Sequence, residues 1–195
     1  MKQRNLLAIL LLFVGVTVSA SVNSGYYYIK SYNDNYMTEN TSEHSLVCSA
    51  KATSTNYAQV WYLAVSGSNV TLRNALTDRY VQGQGSFSSQ YSTGTTQQTF
   101  TLGESEGVLT FQYDPYNVGG LHCDASLNVV EWYTSDNKSK WTVEAVTVDQ
   151  TDLNAQKNAL TEVSISTLTT YFTSSACTAL NSPYSGYTEN ELRSA

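Results

Sequence analysis

The sequence predicts an all-β protein of three repeats, each about forty residues long, closed on one shared core and followed by a short, partly helical segment. The repetition is the first observation. Gln59-Val60-Trp61-Tyr62-Leu63, Gln98-Thr99-Phe100-Thr101-Leu102 and Ser139-Lys140-Trp141-Thr142-Val143 each set an aromatic residue, one spacer and an aliphatic residue after a polar lead-in, and their aromatics stand 39 and 41 residues apart. Alternation is the second. Tyr27-x-Ile29, Val70-x-Leu72 and Leu109-x-Phe111 open the units with a period of two, the mark of a strand with one buried face. A third landmark follows in each unit: Asn35-Tyr36-Met37, Arg79-Tyr80-Val81 and Gly120-Leu121-His122. Three landmarks in the same order, three times over, define a repeat.

Each element has its own warrant. Thr, Tyr and Val abound and suit strands. Turn-formers separate the runs, as in Tyr32-Asn33-Asp34-Asn35, Ser66-Gly67-Ser68-Asn69 and Asp136-Asn137-Lys138-Ser139. One unit cannot bury its inward face alone, so the three share a core assigned to Ile29, Leu72, Phe111, Trp61, Phe100, Trp141, Leu63, Leu102 and Val143. Closing the sheet removes exposed edges. From Asp149 the texture changes. Caps at Asp149-Gln150-Thr151-Asp152 precede Leu153, Leu160, Val163, Leu168 and Phe172 at helical spacing, and Asn181-Ser182-Pro183 breaks the run. Glu189-Asn190-Glu191-Leu192-Arg193 reads as a further helix start, so residues 149–195 are expected to form a helical tail or the beginning of a further domain, separable from the repeats.

The chain has 195 residues, 41% hydrophobic and 13% charged, which excludes intrinsic disorder and a soluble coiled coil. Lys2 and Arg4 lead into an apolar run from Leu6 to Val18 that ends Val18-Ser19-Ala20, so residues 1–20 are expected to be a cleavable secretory signal. The run is shorter than the roughly 20 apolar residues of a membrane span. Its removal leaves 175 residues and takes the net charge from −6 to −8, with no basic cluster for a phosphate backbone, so neither nucleic acid nor membrane insertion is expected. Three cysteines, Cys48, Cys123 and Cys177, make no closed framework. They read as buried small hydrophobes, or as a Cys48–Cys123 pair with Cys177 left over.

No reactive constellation is present. His44 and His122 are the sole histidines, and the sequence has no His-Glu-x-x-His, Cys-x-x-Cys or Gly-x-Ser-x-Gly. Gly83-Gln84-Gly85 opens a Gly-Ser loop without a P-loop lysine. The acids lack the context that places two carboxylates across a cleft for glycoside hydrolysis. No catalytic residue, metal or cofactor is assigned.

The three units, with Gln-x-Trp intact at Gln59-Val60-Trp61 and partial at Gln98-Thr99-Phe100 and Ser139-Lys140-Trp141, resemble the ricin-type β-trefoil lectins over residues 24–146. That resemblance implies twelve strands, six in a barrel and six in a hairpin cap. It also implies a non-catalytic carbohydrate-binding module that targets a larger secreted protein to glycans, with galactose-type or other host or plant polysaccharide sugars as ligands. In such lectins an acid accepts from paired hydroxyls, a ring stacks on the pyranose and an amide fixes its orientation. By position Asp124 matches the acid and Trp132 the ring, and Asn137 or Lys138 supplies the polar contact, although the Asn-Gln pair is missing. The chemistry is sound on its own terms, since carboxylates accept strongly and aromatics offer large contact area. Asp124 equally suits a turn cap, Trp132 a packed aromatic and His122 a satisfied strand histidine.

In the second unit Tyr91 stands nine residues before Phe100, as Trp132 does before Trp141, but Gly83 occupies the acid position. The first unit has Glu39 near the acid position and Ala52 in place of the ring. The units therefore rank third, second, first. Asn40, Asn69 and Asn137 open glycosylation triplets, and a glycan on Asn137 would block the third site. A trefoil scaffold or protein-interaction domain without a sugar site, accessory to a downstream catalytic domain such as a metallopeptidase, is the alternative reading.

Overall fold

The computed structural model describes residues 22–113 and 119–169, which hold twelve strands and one α-helix. The signal segment, Phe172, Cys177 and the helix start at Glu189 lie outside the described residues. The strands run in chain order as β1 (Gly25–Ser31), β2 (Tyr36–Asn40), β3 (Ser45–Ser49), β4 (Val60–Ser66), β5 (Asn69–Asn74), β6 (Tyr80–Gln82), β7 (Ser92–Gly94), β8 (Phe100–Ser105), β9 (Val108–Gln112), β10 (Gly119–Cys123), β11 (Val129–Tyr133) and β12 (Trp141–Ala145). Helix α1 spans Gln150–Thr169.

Six strands close a barrel. β1 pairs with β4, β4 with β5, β5 with β8, β8 with β9, β9 with β12, and β12 with β1, all antiparallel. The other six form the hairpins β2–β3, β6–β7 and β10–β11, which cap one end. This is the β-trefoil, with the period of two read from the sequence setting the buried face of each strand. Of the expected core, Ile29, Trp61, Leu63, Leu72, Phe100, Phe111 and Trp141 are fully enclosed, while Leu102 and Val143 are partly buried against them.

The recurring signature has a mechanical role. The indole N–H of Trp61 donates to Met37 O at 2.8 Å, and that of Trp141 donates to Leu121 O at 2.9 Å, so each barrel tryptophan is fastened to the first strand of its own cap hairpin. Gln59 is buried, donates to Ser49 Oγ and Ala50 O at 2.8 Å each, and accepts from Ala52 N at 3.1 Å. Gln98 accepts from Gly83 N at 2.6 Å, while Ser139 in the third unit donates to Tyr133 O at 2.8 Å. The polar residue of each signature thus pins backbone groups of its own cap hairpin.

Cys48, of the first unit, and Cys123, of the third, are free thiols buried in the shared core. The expected helix is present and its start is docked. Asp149 caps it, accepting from Thr151 N at 2.8 Å and Asp152 N at 3.2 Å. Leu153 joins Tyr57, Val60 and Ala75 in a second apolar cluster outside the barrel.

Candidate functional site

Asp124 sits at the β10–β11 turn. Its Oδ1 accepts from Ser126 N and Asn128 N at 2.8 Å each, and its Oδ2 has a long 3.5 Å contact from Asn128 Nδ2. Leu127, inside that turn, has φ 65°, the left-handed region in which non-glycine residues need local support. The carboxylate gives that support by holding the turn closed.

The strand register then separates the expected acid from the expected ring. Trp132 on β11 lies opposite Gly120, whereas the turn residue Asp124 pairs with Asn128. Four residues of strand set their backbones roughly 13 Å apart, and the Asp124 carboxylate is already engaged in closing its own turn. Tyr91 requires a fuller correction. It is 1% exposed, packs 6.0 Å from Phe100, and its backbone bridges Leu46 and Val129 where the three cap hairpins meet. A ring enclosed on all sides has no face to offer a sugar. Gly83 explains the enclosure, because a Cβ there would come within 2.6 Å of Tyr91 and 2.7 Å of Tyr113. The acid position of the second unit is filled by aromatic rings.

Glu39 of the first unit is likewise consumed inside the fold. Its buried carboxylate accepts from Thr93 and Thr77 hydroxyls at 2.6 Å each and contacts His44 Nδ1 at 3.2 Å, joining the first and second units.

Trp132, by contrast, is half-buried and stands within a cluster of rings at the surface. Phe87 packs edge-on to it at 5.7 Å between centroids and lies 4.6 Å from Tyr133. The His122 ring is 6.2 Å from that of Trp132. Phe87 and Tyr133 are 39% and 47% exposed, two of the three large apolar or aromatic side chains that the described residues leave open, with Tyr32 the third. Phe87 arrives from the Gly-Ser loop between β6 and β7. That loop is laid along β11 by Ser88 N to Glu131 O at 2.9 Å, Glu131 N to Ser89 O at 2.9 Å and Ser86 N to Glu131 Oε2 at 3.1 Å. Ser88 takes φ 64°, which sharpens the bend beside Phe87.

Polar groups flank the rings. His122 Nδ1 meets Ser139 Oγ at 3.0 Å, and burial pushes the imidazole below its ordinary value, so it is neutral at pH 7. Asn137 and Lys138 form the turn Asn137–Ser139, capped by Asp136, whose Oδ1 accepts from Lys138 N at 2.8 Å. Asn137 is exposed, and Lys138 Nζ stands 5.9 Å over the ring of Tyr32. Asn137 and Lys138 thus lie in the turn that follows β11, with Lys138 against Tyr32 of the first unit, and Asp124 lies at the other end of the β10–β11 hairpin. Phe87, Tyr133 and Asp136 were not singled out from sequence. The doublet Trp132-Tyr133 was the available signal for Tyr133, and nothing local marked Phe87, whose place depends on a loop crossing between units.

Comparison with known protein families gave no match, and neither did comparison with curated proteins. Comparison with solved structures gave many. The ricin B-like lectin of Macrolepiota procera, solved in complex with lactose, superposes with a TM-score of 0.56 at 14% identity, covering 64% of this chain and 98% of that one. The Rhizoctonia solani agglutinin superposes with a TM-score of 0.56 at 16% identity, over 65% of this chain and 98% of its own. A designed threefold-symmetric protein, ThreeFoil, gives 0.55 at 13% identity, over 63% and 99%. The chain therefore carries the β-trefoil fold that these structures share. Its fold is the one on which those lectins are built.

Proposed function

We propose that this chain is a secreted, non-catalytic carbohydrate-binding module whose sugar site is the aromatic cluster formed by Trp132 and Tyr133 of the third unit with Phe87 of the second. The observation that carries the reading is this cluster, two open rings packed on each other and against a half-buried indole on a trefoil. Pyranoses present flat C–H faces to such rings, and aromatic contact area costs little side-chain entropy. Asp136, Asn137 and Lys138, in the turn that follows Tyr133, carry groups able to meet hydroxyls. A shallow site of this kind binds a single sugar with a Kd on the order of millimolar, and targeting gains strength when several sites are presented together.

The test is binding of the processed protein to a glycan array, followed by titration of one confirmed glycan. Trp132→Ala and Tyr133→Ala should each weaken binding at least about tenfold, equal to about 1.4 kcal/mol, with melting unchanged within a few degrees. Asp124→Asn should leave affinity within about twofold, because its carboxylate serves the turn. Equal binding by the cluster variants and the parent would discard the cluster as the site.

The second reading, a trefoil used as a protein-interaction scaffold beside a catalytic domain, draws on the same geometry. Acid positions in two units are filled or consumed, and in the third Asp124 is held in its turn. A broad array on which the parent binds no glycan would favour this reading.

A further inference from the structure

His122 carries one engaged ring nitrogen and one open one beside the indole of the aromatic cluster. On the β10–β11 hairpin His122 lies opposite Val130, and Gly120 lies opposite Trp132. Directly opposed residues share a face, and faces alternate along each strand. His122 and Trp132 therefore stand diagonally on the same face, their ring centroids 6.2 Å apart. Only 6% of the His122 surface is exposed, so the ring is held in place by its neighbours. Its Nδ1 meets Ser139 Oγ at 3.0 Å. Its Nε2 has no hydrogen-bond partner among the described residues and is not sealed from solvent.

Ser139 decides which nitrogen bears the proton. Its Oγ also lies 2.8 Å from Tyr133 O, and a carbonyl can only accept, so that contact needs the one hydrogen of the hydroxyl. With the imidazole proton on Nδ1, Nδ1–H donates to Ser139 Oγ, Oγ–H donates to Tyr133 O, and both contacts are hydrogen bonds. With the proton on Nε2, Nδ1 and Tyr133 O would compete for a single hydrogen, and one contact would be lost. The first tautomer makes one hydrogen bond more, and it leaves Nε2 as a bare acceptor. Burial pushes the imidazole below its ordinary value, against the carboxylates of Asp136 and Asp124, which act the other way; Lys138 adds to the effect of burial. Glu131, on the other face of β11, directs its carboxylate to Ser86 N at 3.1 Å.

We propose that His122 Nε2 accepts a hydroxyl of a neutral pyranose stacked on Trp132, replacing the acceptor expected of Asp124, whose carboxylate closes its own turn. This role rests on the aromatic cluster being the sugar site, and it narrows the ligand. One lone pair on a fixed ring takes one hydroxyl, where a carboxylate takes a neighbouring pair, so two adjacent hydroxyls are not required. The sugar also strips water from a ring that is already largely buried, which disfavours the imidazolium further, so sugar and proton compete for His122. A neutral glycan accordingly binds more weakly in acid.

The test uses the whole chain and a neutral oligosaccharide confirmed on the array. Nitrogen NMR of the free, isotope-labelled protein near neutral pH should show His122 protonated on Nδ1 and bare on Nε2. Saturation with the oligosaccharide should move the Nε2 resonance toward its hydrogen-bonded position. It should also lower the measured imidazole pKa by about one pH unit, the linked counterpart of about tenfold weaker binding to the protonated ring. A proton on Nε2 in the free protein, or an imidazole unmoved by saturation, would overturn the assignment. His122→Leu should bind about fivefold more weakly and should not share the parent's loss of affinity in acid. Binding that strengthens in acid, or a variant that keeps the parent's affinity and pH profile, would also overturn it. If His122→Leu does not fold, the parent resonances decide, assigned by comparison with His44→Gln. Trp132→Ala tells the two failures apart. Where it loses binding while the His122 measurements fail, the cluster stands without this acceptor; where it binds as the parent does, the cluster is not the site and the role of His122 falls with it.

Discussion

Tyr36 ties the first cap hairpin to the last barrel strand by donating to Glu144 Oε1 at 2.7 Å, while Lys51 donates to Oε2 at 2.6 Å. Burial, then the bond to Glu144, push the Tyr36 phenol up to about 12 from an ordinary 10.0. A group whose folded value is raised contributes stability that is complete below its unfolded value and disappears as pH climbs through the folded one. Stability should therefore fall as pH rises from about 10 toward 12, and Tyr36→Phe should flatten that fall. Tyr57, also raised by burial, leaves a residual slope. Chemical denaturation at a series of alkaline pH values measures both, and an unchanged slope in Tyr36→Phe would count against the assignment. Glu144 works in the opposite direction. Its bonds to Lys51 and Tyr36 hold it below the ordinary carboxylate range, so its contribution is lost as pH falls through that lowered value. Neither partner was legible in the sequence, where Tyr36 and Glu144 are 108 residues apart. Asp124 carries the same lesson: its residue type was right for a sugar contact, but a carboxylate two and four residues before free backbone N–H groups is also right for closing a turn.

At the scale of elements, helix α1 was expected to be separable from Asp149 onward, yet its first two turns are bound to the trefoil. Gln156 donates to Thr55 O at 2.8 Å and accepts from Tyr57 N at 3.2 Å, Lys157 pairs with Asp78 at 2.6 Å, and Tyr57 OH bonds both the N and O of Asp149 at 3.0 Å. The composition change at Asp149 marked a change of secondary structure, while docking depended on residues 79 to 101 positions away. Limited proteolysis should accordingly leave a resistant fragment that ends beyond Lys157, with the cut located by mass. A fragment ending before Gln150 would mean that the docked turns do not protect the chain. Leu153→Ala removes the apolar contact of the same turns and should destabilise by about 2–4 kcal/mol if the neighbours do not collapse into the space. The loop carrying Phe87 shows the same limit of local reading. Its glycines and serines marked a loop correctly, and its course along β11 is set by Glu131 of another unit.

Across the whole molecule, legibility followed symmetry. Core aromatics recur because each unit must fill the same third of one barrel, so spacing alone located Trp61, Phe100 and Trp141, all fully buried. The three units are not equivalent in their fastenings. Phe100 has no indole N–H, and its unit relies instead on Gln98 gripping Gly83. Surface chemistry escaped the symmetry argument because the threefold pattern constrains inward faces and leaves turns and cap loops free to diverge. One consequence reaches every element. The barrel is a closed ring of pairings in which each unit is joined to both others, through β4–β5, β8–β9 and β12–β1, so no unit can leave without breaking two seams. Unfolding should be a single cooperative transition, as in most small domains. Trp61→Ala and Trp141→Ala each remove a buried ring and orphan a cap carbonyl, and each should cost about 3–5 kcal/mol. Tryptophan fluorescence and far-ultraviolet circular dichroism, followed on the same denaturation, should move together in both variants. If the first and third units were energetically independent, each variant would instead split the curve into two transitions, with only the substituted unit shifted.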